Sequence, residues 1–75
     1  MSYYYIDKNP HPYPEHNEHQ IHNDNNFCSK PPFQENKVGL GNFSDCKDAT
    51  IEARRRFSGW ETDGCKYCNR ECYRM

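Results

Sequence analysis

The stretch Asp63-Gly64-Cys65-Lys66-Tyr67-Cys68 is the most informative part of this 75-residue sequence. It places two cysteines two residues apart, directly after an Asp-Gly pair of the kind that forms tight turns. Two thiolates at this spacing can both bind one tetrahedral zinc ion at about 2.3 Å. Because a structural zinc takes four protein ligands, this pair supplies half of a site, and the other half must come from elsewhere in the chain.

The second pair of ligands is predicted from the segment around Cys28. The Asn and Asp residues at 23–26 favour a tight reversal of the chain, which can bring Cys28 together with His22, six positions earlier. The predicted zinc ligands are therefore His22, Cys28, Cys65 and Cys68.

Three further residues compete for places in this site or have a separate role. His19 lies close to His22 in sequence and can replace it, and Cys72, four residues after Cys68, can do the same if both lie on one side of a helix. Cys46 is expected on the buried face of a helix as a small core thiol. A disulfide between Cys46 and Cys72 is the alternative for both, and it leaves the zinc ligands intact. A disulfide-stabilised domain without metal is a further alternative.

The composition indicates that such a site is needed. The chain has room for a single domain, over residues 1–75, and contains only nine Ile, Leu, Val and Phe residues. Six Tyr, one Trp and five Cys partly replace the missing aliphatic residues, and the formal net charge is −1. Since a core this small does not stabilise a domain alone, the composition predicts a folded domain that needs an additional cross-link.

The compartment expected from the sequence is the cytoplasm. No apolar stretch is long enough for a transmembrane helix, and residues 1–7 lack the basic and apolar regions of a signal peptide. Thiols stay reduced in the cytoplasm, so a group of Cys and His residues is more consistent there with a metal site than with a set of disulfides.

The local pattern predicts an α+β fold, with a small antiparallel sheet packed on one main helix. Short strands are expected over residues 3–6, 20–22 and 37–43, where a glycine marks a bulge or a close backbone approach. A Pro/His-rich loop is expected over residues 8–18. A second loop over 60–64 and a short C-terminal helix complete the fold.

The main helix is expected over residues 45–57. Ser44 is a suitable N-cap, and the three arginines at 54–56 lie at the C-terminus, where positive charge complements the helix dipole. A narrow buried face is expected from the residues spaced three and four apart, namely Cys46, Ala49, Ala53 and Phe57.

The sequence offers little support for an enzyme. A catalytic zinc needs an open coordination position and a nearby acid or base. Glu61 and Glu71 are close to the cysteine pair in sequence, but neither stands in an H-E-x-x-H or H-x-E arrangement. We therefore expect a structural site and no enzyme activity.

Basic and aromatic residues in the C-terminal half suggest a binding surface. The candidates are Arg54, Arg55, Arg56, Trp60, Tyr67 and Tyr73. These residue types are common both at protein interfaces and at nucleic-acid surfaces. The pI of about 6.4 is low for a nucleic-acid-binding domain. A protein-interaction module is therefore preferred, its partner unknown, and nucleic-acid binding is the alternative.

The order of the motifs resembles that of a group of small bacterial proteins of uncharacterised function. The resemblance covers residues 19–73 and includes His22, Cys28, the segment LGNFSDCKDA at 40–49 and the pattern DGCxxCxxxC at 63–72. More loosely, the chain is similar to the His/Cys metal-binding modules of the Ada DNA-repair type. The resemblance implies a zinc site and an α+β fold without implying an enzyme. Such small chains are often carried by phages and mobile elements, which is consistent with an adaptor or inhibitor role.

Overall fold

The computed structural model describes residues 1–9, 11–12, 17–28 and 32–73 and shows a small α+β fold, in which a sheet packs against one main helix. The strands are β1 (Ser2–Asp7), β2 (His11–Pro12), β3 (Asn17–Asn23), β4 (Lys37–Phe43) and β5 (Thr62–Gly64). The helix α1 spans Cys46–Arg56, and 3₁₀ turns occupy Gln34–Asn36 and Arg70–Cys72. The predicted fold class is confirmed. None of the helices among these residues has the length and apolar character needed to cross a lipid bilayer.

Strand β1 pairs antiparallel with both β3 and β4, and the three form the antiparallel sheet that the sequence predicts. In the β1–β3 register, Tyr5 lies opposite His22 and Ile6 lies opposite Ile21. Because side chains alternate along a strand, the two isoleucines point to one face of the sheet and Tyr5 and His22 to the other. Ile6 and Ile21 belong to the core that α1 covers. The register therefore directs His22 away from this core.

Strand β5 runs parallel to β3, so the sheet is mixed: the three predicted strands pair antiparallel, and β5 adds a parallel strand that the sequence did not predict. The segment that forms β5, Thr62–Gly64, was expected to be a loop. Further hydrogen bonds extend this pairing, from the His19 amide to the Glu61 carbonyl at 2.8 Å and from the Cys65 amide to the Ile21 carbonyl at 2.9 Å. The sequence Thr-Asp-Gly shows no alternation of hydrophobic and polar residues, so its pairing as a strand depends on contacts with residues distant in sequence.

Part of the segment 8–18, predicted as a loop, also pairs as strand. His11–Pro12 forms β2 and pairs with Asn17 and Glu18 at the beginning of β3. The loop prediction is wrong for these residues, and β3 is longer than expected. A two-residue pairing tolerates proline where a central strand would not. Residues 10 and 13–16, also part of the predicted loop, lie outside the described residues.

Helix α1 confirms the predicted main helix, with a different N-cap. Asp45 rather than Ser44 is the cap, and its side chain accepts a hydrogen bond from the Asp48 amide at 3.1 Å. Both residue types are good caps, and the carboxylate adds a charge that favours the helix N-terminus. The three small residues expected on the buried face are all found there, namely Cys46, Ala49 and Ala53.

The end of α1 is tied to β4 at the predicted glycines. Gly41 has φ 120° beside a bulge in the β1–β4 pairing, and the Tyr3 hydroxyl occupies the space that a Cβ on Gly39 would need. Arg56 donates hydrogen bonds to the carbonyls of Gly39 at 2.9 Å and Leu40 at 3.1 Å. The Arg56 guanidinium thus donates to two backbone carbonyls of β4 and fixes the end of α1 against this strand.

The core between α1 and the sheet is small and is closed by a disulfide. The sheet contributes Tyr4, Ile6, Ile21 and Leu40. Cys46 at the start of α1 is bonded to Cys72 in the C-terminal 3₁₀ turn, with the two Cα atoms 6.2 Å apart. The disulfide, which the sequence left as an alternative, therefore connects the main helix to the predicted short C-terminal helix.

Candidate metal centre

The four predicted zinc ligands come together. His22 lies on β3, Cys28 follows the turn after β3, and Cys65 and Cys68 follow β5. Their ligand atoms all lie within 4.8 Å of one another, and this group can hold a metal ion. His22, Cys65 and Cys68 are buried, and Cys28 is half-buried.

Three of the distances within this group match those expected around a tetrahedral zinc ion. The Cys28 and Cys65 sulfurs are 3.7 Å apart, and His22 Nδ1 lies 3.4 Å from the Cys68 sulfur and 3.8 Å from the Cys28 sulfur. Ligands bound to zinc at about 2.3 Å for sulfur and about 2.0 Å for nitrogen lie about 3.5–3.8 Å apart at tetrahedral angles. These three pairs are therefore spaced as ligands of one ion are.

The turn between His22 and Cys28 is built from asparagines, as the sequence predicts. The Asn23 side chain accepts a hydrogen bond from the Asn25 amide at 2.9 Å, and the Asn23 carbonyl accepts one from the Asn26 amide at 3.2 Å. The Asn26 side chain then donates to the carbonyl of Cys68 at 3.0 Å. The same turn that reverses the chain thus connects it to the cysteine pair.

Hydrogen bonds from Asn69 hold the cysteine pair against β3. The Asn69 side chain donates to the Ile21 carbonyl at 3.1 Å, and the Asn69 amide donates to the Cys65 carbonyl at 2.8 Å. Gly64 allows the C-terminal turn to approach, because a Cβ there would lie 2.7 Å from the backbone of Cys72 and 2.8 Å from the Asn69 carbonyl oxygen. The glycine of the Asp-Gly pair is therefore needed for close packing, and the pair lies in β5 rather than in a loop turn.

Asp7 is a part of the centre that the sequence did not indicate. It is only 4% exposed, and its Oδ1 atom lies 2.9 Å from His22 Nε2. The Tyr5 ring stacks on the His22 ring, with the ring centres 4.9 Å apart and the planes 13° apart. The contacts of Asp7 and Tyr5 with His22 both depend on the register in which β1 pairs with β3. The residue pattern of a single strand does not reveal this register.

Hydrogen bonds within the group shift the pKa values of His22, Cys65 and Cys68. Burial alone would lower the pKa of His22, but hydrogen bonds to Asp7 and Cys65 raise it to about 10. A hydrogen bond from Cys68 lowers the pKa of the Cys65 thiol, and the same bond raises the pKa of Cys68. One thiolate therefore opposes the ionisation of its neighbour. A bound divalent cation removes this conflict, because its charge favours the thiolate form of every sulfur that it contacts.

His19, the alternative to His22, lies outside the metal-binding group. Its Nδ1–H donates to the backbone carbonyl of Asp7 at 2.9 Å, and its ring stacks on Trp60 with the ring centres 3.8 Å apart. Trp60 stacks in turn on Phe57, at 4.1 Å between ring centres. His19 and Trp60 thus belong to a packed aromatic stack.

Cys46 and Cys72 are likewise outside the group because they are bonded to each other. We expect Cys46→Ala to lower the free energy of unfolding by about 3 kcal/mol, since a bridge across 26 positions restricts the unfolded chain. Urea denaturation measures this change, and the metal content of the same sample should equal that of the wild type. Loss of metal from the variant would instead place Cys46 or Cys72 in the centre.

The residues predicted to bind a partner have different surroundings. Arg54 and Arg55 are exposed, but Glu52 accepts hydrogen bonds from Arg55 at 2.8 Å and from Arg56 at 2.6 Å. These bonds lower the pKa of Glu52 to about 2. Tyr67 is 37% exposed. Trp60 and Tyr73 are half-buried.

Comparisons with protein-family models, with curated proteins and with solved structures found no match for this chain. The resemblance to small bacterial proteins and to Ada-type modules therefore stays a prediction.

Proposed function

We propose that this chain is a small structural zinc-binding module that presents a protein-binding surface. The observation that carries the proposal is the group of four donors, His22, Cys28, Cys65 and Cys68. Three thiolates and one imidazole are a common set of structural zinc ligands. Magnesium and calcium prefer oxygen ligands, so this donor set disfavours them. Zinc held here would join β3 to the segment after β5.

The donor set supports a structural rather than a catalytic role. Four protein ligands fill a tetrahedral zinc and leave no position for water or substrate. The two nearby acids considered for catalysis, Glu61 and Glu71, have exposed side chains. Neither belongs to the metal-binding group among the described residues. These features support a structural role for the zinc and give it no catalytic one.

Exposed aromatic residues flank the proposed zinc ligands. Phe27 directly precedes Cys28 and is 86% exposed, and Phe33 follows five residues after it and is 81% exposed. Large aromatic side chains are enriched among the residues that contribute most to protein–protein binding. Exposed rings next to a metal-held turn support a protein partner, for which the chain would act as an adaptor or inhibitor.

Nucleic-acid binding receives less support. Of the three consecutive arginines, Arg55 and Arg56 share the carboxylate of Glu52, and Arg56 also bonds to β4. Their positive charge is thus partly neutralised and partly used within the fold. A formal net charge of −1 adds no attraction for a polyanion.

A pull-down from the source cell, with and without nuclease, tests the role. A stoichiometric protein partner should persist after nuclease treatment and at moderate salt, and the double variant Phe27→Ala/Phe33→Ala should lose it. Ile51→Ala is the matched control, because Ile51 is an apolar residue on α1 that is 64% exposed. Recovery of nucleic acid alone, lost at higher salt and in Arg54→Ala/Arg55→Ala, would overturn the preference for a protein partner.

A further inference from the structure

Asp7 is a carboxylate in an environment where a carboxylate is costly. It is 4% exposed on the last residue of β1. Burying a charged group costs free energy unless the group is paired and hydrogen-bonded. Its side chain meets His22 Nε2 at 2.9 Å, and His22 is itself 1% exposed. The pair is therefore a specific buried contact rather than a surface ion pair.

This contact decides which nitrogen of His22 faces the sulfurs. Asp7 accepts the hydrogen bond of Nε2–H, so in the neutral ring, the form that binds a metal, Nδ1 carries the lone pair. Nδ1 is the nitrogen that lies 3.4 Å from the Cys68 sulfur and 3.8 Å from the Cys28 sulfur. The ring thus presents its free nitrogen to the centre of the donor group.

The sheet holds Asp7 in this position from two sides. Its backbone pairs with Lys37 of β4, and its carbonyl accepts the hydrogen bond from His19 on β3. The stacked Tyr5 ring covers a face of the His22 ring and limits its tilt. The sheet therefore fixes the carboxylate, which orients the imidazole at little further cost in ordering.

We propose that Asp7 is a positioning residue of the metal centre, which holds His22 as an Nδ1 ligand and thereby sets the affinity for the metal. The proposal rests on the zinc-binding role proposed above. Partners that hydrogen-bond the second nitrogen of a ligating histidine contribute about 10- to 100-fold to metal affinity. Asp7→Asn keeps the size of the side chain and removes its charge.

The affinity for zinc, measured by competition with a chromophoric chelator, tests this role. We expect Asp7→Asn to bind zinc about 10- to 100-fold more weakly than the wild type. Cobalt(II) substitution should still show tetrahedral thiolate coordination in this variant. The matched control is Asp24→Asn, which removes the same charge from an exposed residue in the turn before Cys28 and should leave the affinity unchanged. Equal zinc affinity in Asp7→Asn and the wild type would refute the role of Asp7.

A measurement on the wild type keeps the proposal testable if Asp7→Asn does not fold. In protein loaded with ¹¹³Cd and labelled with ¹⁵N, scalar coupling should connect the metal to Nδ1 of His22, with the proton on Nε2. Coupling to Nε2 would overturn the proposal, because Asp7 would then not hold that nitrogen. Failure of the wild type to bind zinc, cobalt or cadmium at all would instead refute the zinc-binding module itself.

Discussion

Removal of zinc should unfold the chain. A structural zinc contributes on the order of 10 kcal/mol, and a small domain has a net stability of about 5–15 kcal/mol. The buried core here consists of a few side chains and three small helix residues. The disulfide joins α1 to the C-terminal turn and makes no connection to Cys28 or the end of β3. Without metal, the segments that carry the ligands lose their cross-link, and β5 and the cysteine pair are joined to β3 by hydrogen bonds alone.

Far-UV circular dichroism and thermal melting before and after chelation measure this effect. The experiment is done without reductant, so that the bond between Cys46 and Cys72 stays intact and only the metal changes. Stoichiometric zinc added back should restore both the spectrum and the melting transition. An unchanged spectrum and melting curve after verified removal of the metal would mean that the disulfide and core suffice, as in the alternative without metal.

The disulfide and the proposed metal centre require different oxidation states of their cysteines. Cys46 and Cys72 are bonded and only 2% and 3% exposed, which shields the disulfide from reductants. Cys28, Cys65 and Cys68 are free thiols, and the sulfurs of Cys28 and Cys65 are 3.7 Å apart. Coordination of both sulfurs by one metal ion would keep these two thiols from pairing under conditions that form the first bond, since a metal-bound thiolate is not free to attack. A metal at this centre would therefore be compatible with both oxidation states in one chain.

The ligand group could be predicted because its signals are local. The cysteine pair after Asp63-Gly64 and the asparagine turn between His22 and Cys28 each depend on a few consecutive residues. Asp7 could not be found in this way, because it reaches His22 only through strand pairing over 15 positions. A pairing register follows from the whole sheet rather than from one strand.

The same distinction explains the errors in the fold. The three predicted strands and α1 carry alternation, helix spacing or capping residues, and each is present. Strand β5 has none of these signals, and it becomes a strand because β3 supplies its hydrogen-bonding partners. Ser44 and Asp45 were both acceptable caps by residue type, so only the backbone conformation could distinguish them.

Replacing either cysteine of the pair should abolish metal retention. The wild type is expected to contain about one zinc per chain, and Cys65→Ser or Cys68→Ser should contain almost none after dialysis. A serine hydroxyl remains protonated near neutral pH and does not replace a thiolate as a ligand, and the two donors of the cysteine pair no longer act together. Elemental analysis of protein of known concentration measures the metal content directly.

The matched control for these variants is Cys46→Ser, which also removes one thiol but breaks the disulfide instead of the metal centre. If the assignment of His22, Cys28, Cys65 and Cys68 is correct, this variant loses stability and keeps its zinc, whereas Cys68→Ser loses both. The position of the replaced cysteine, rather than the number of thiols removed, therefore decides whether the variant loses zinc. Full zinc content in Cys65→Ser and Cys68→Ser would refute the centre, because each variant leaves only three of the four ligands that a structural zinc site needs.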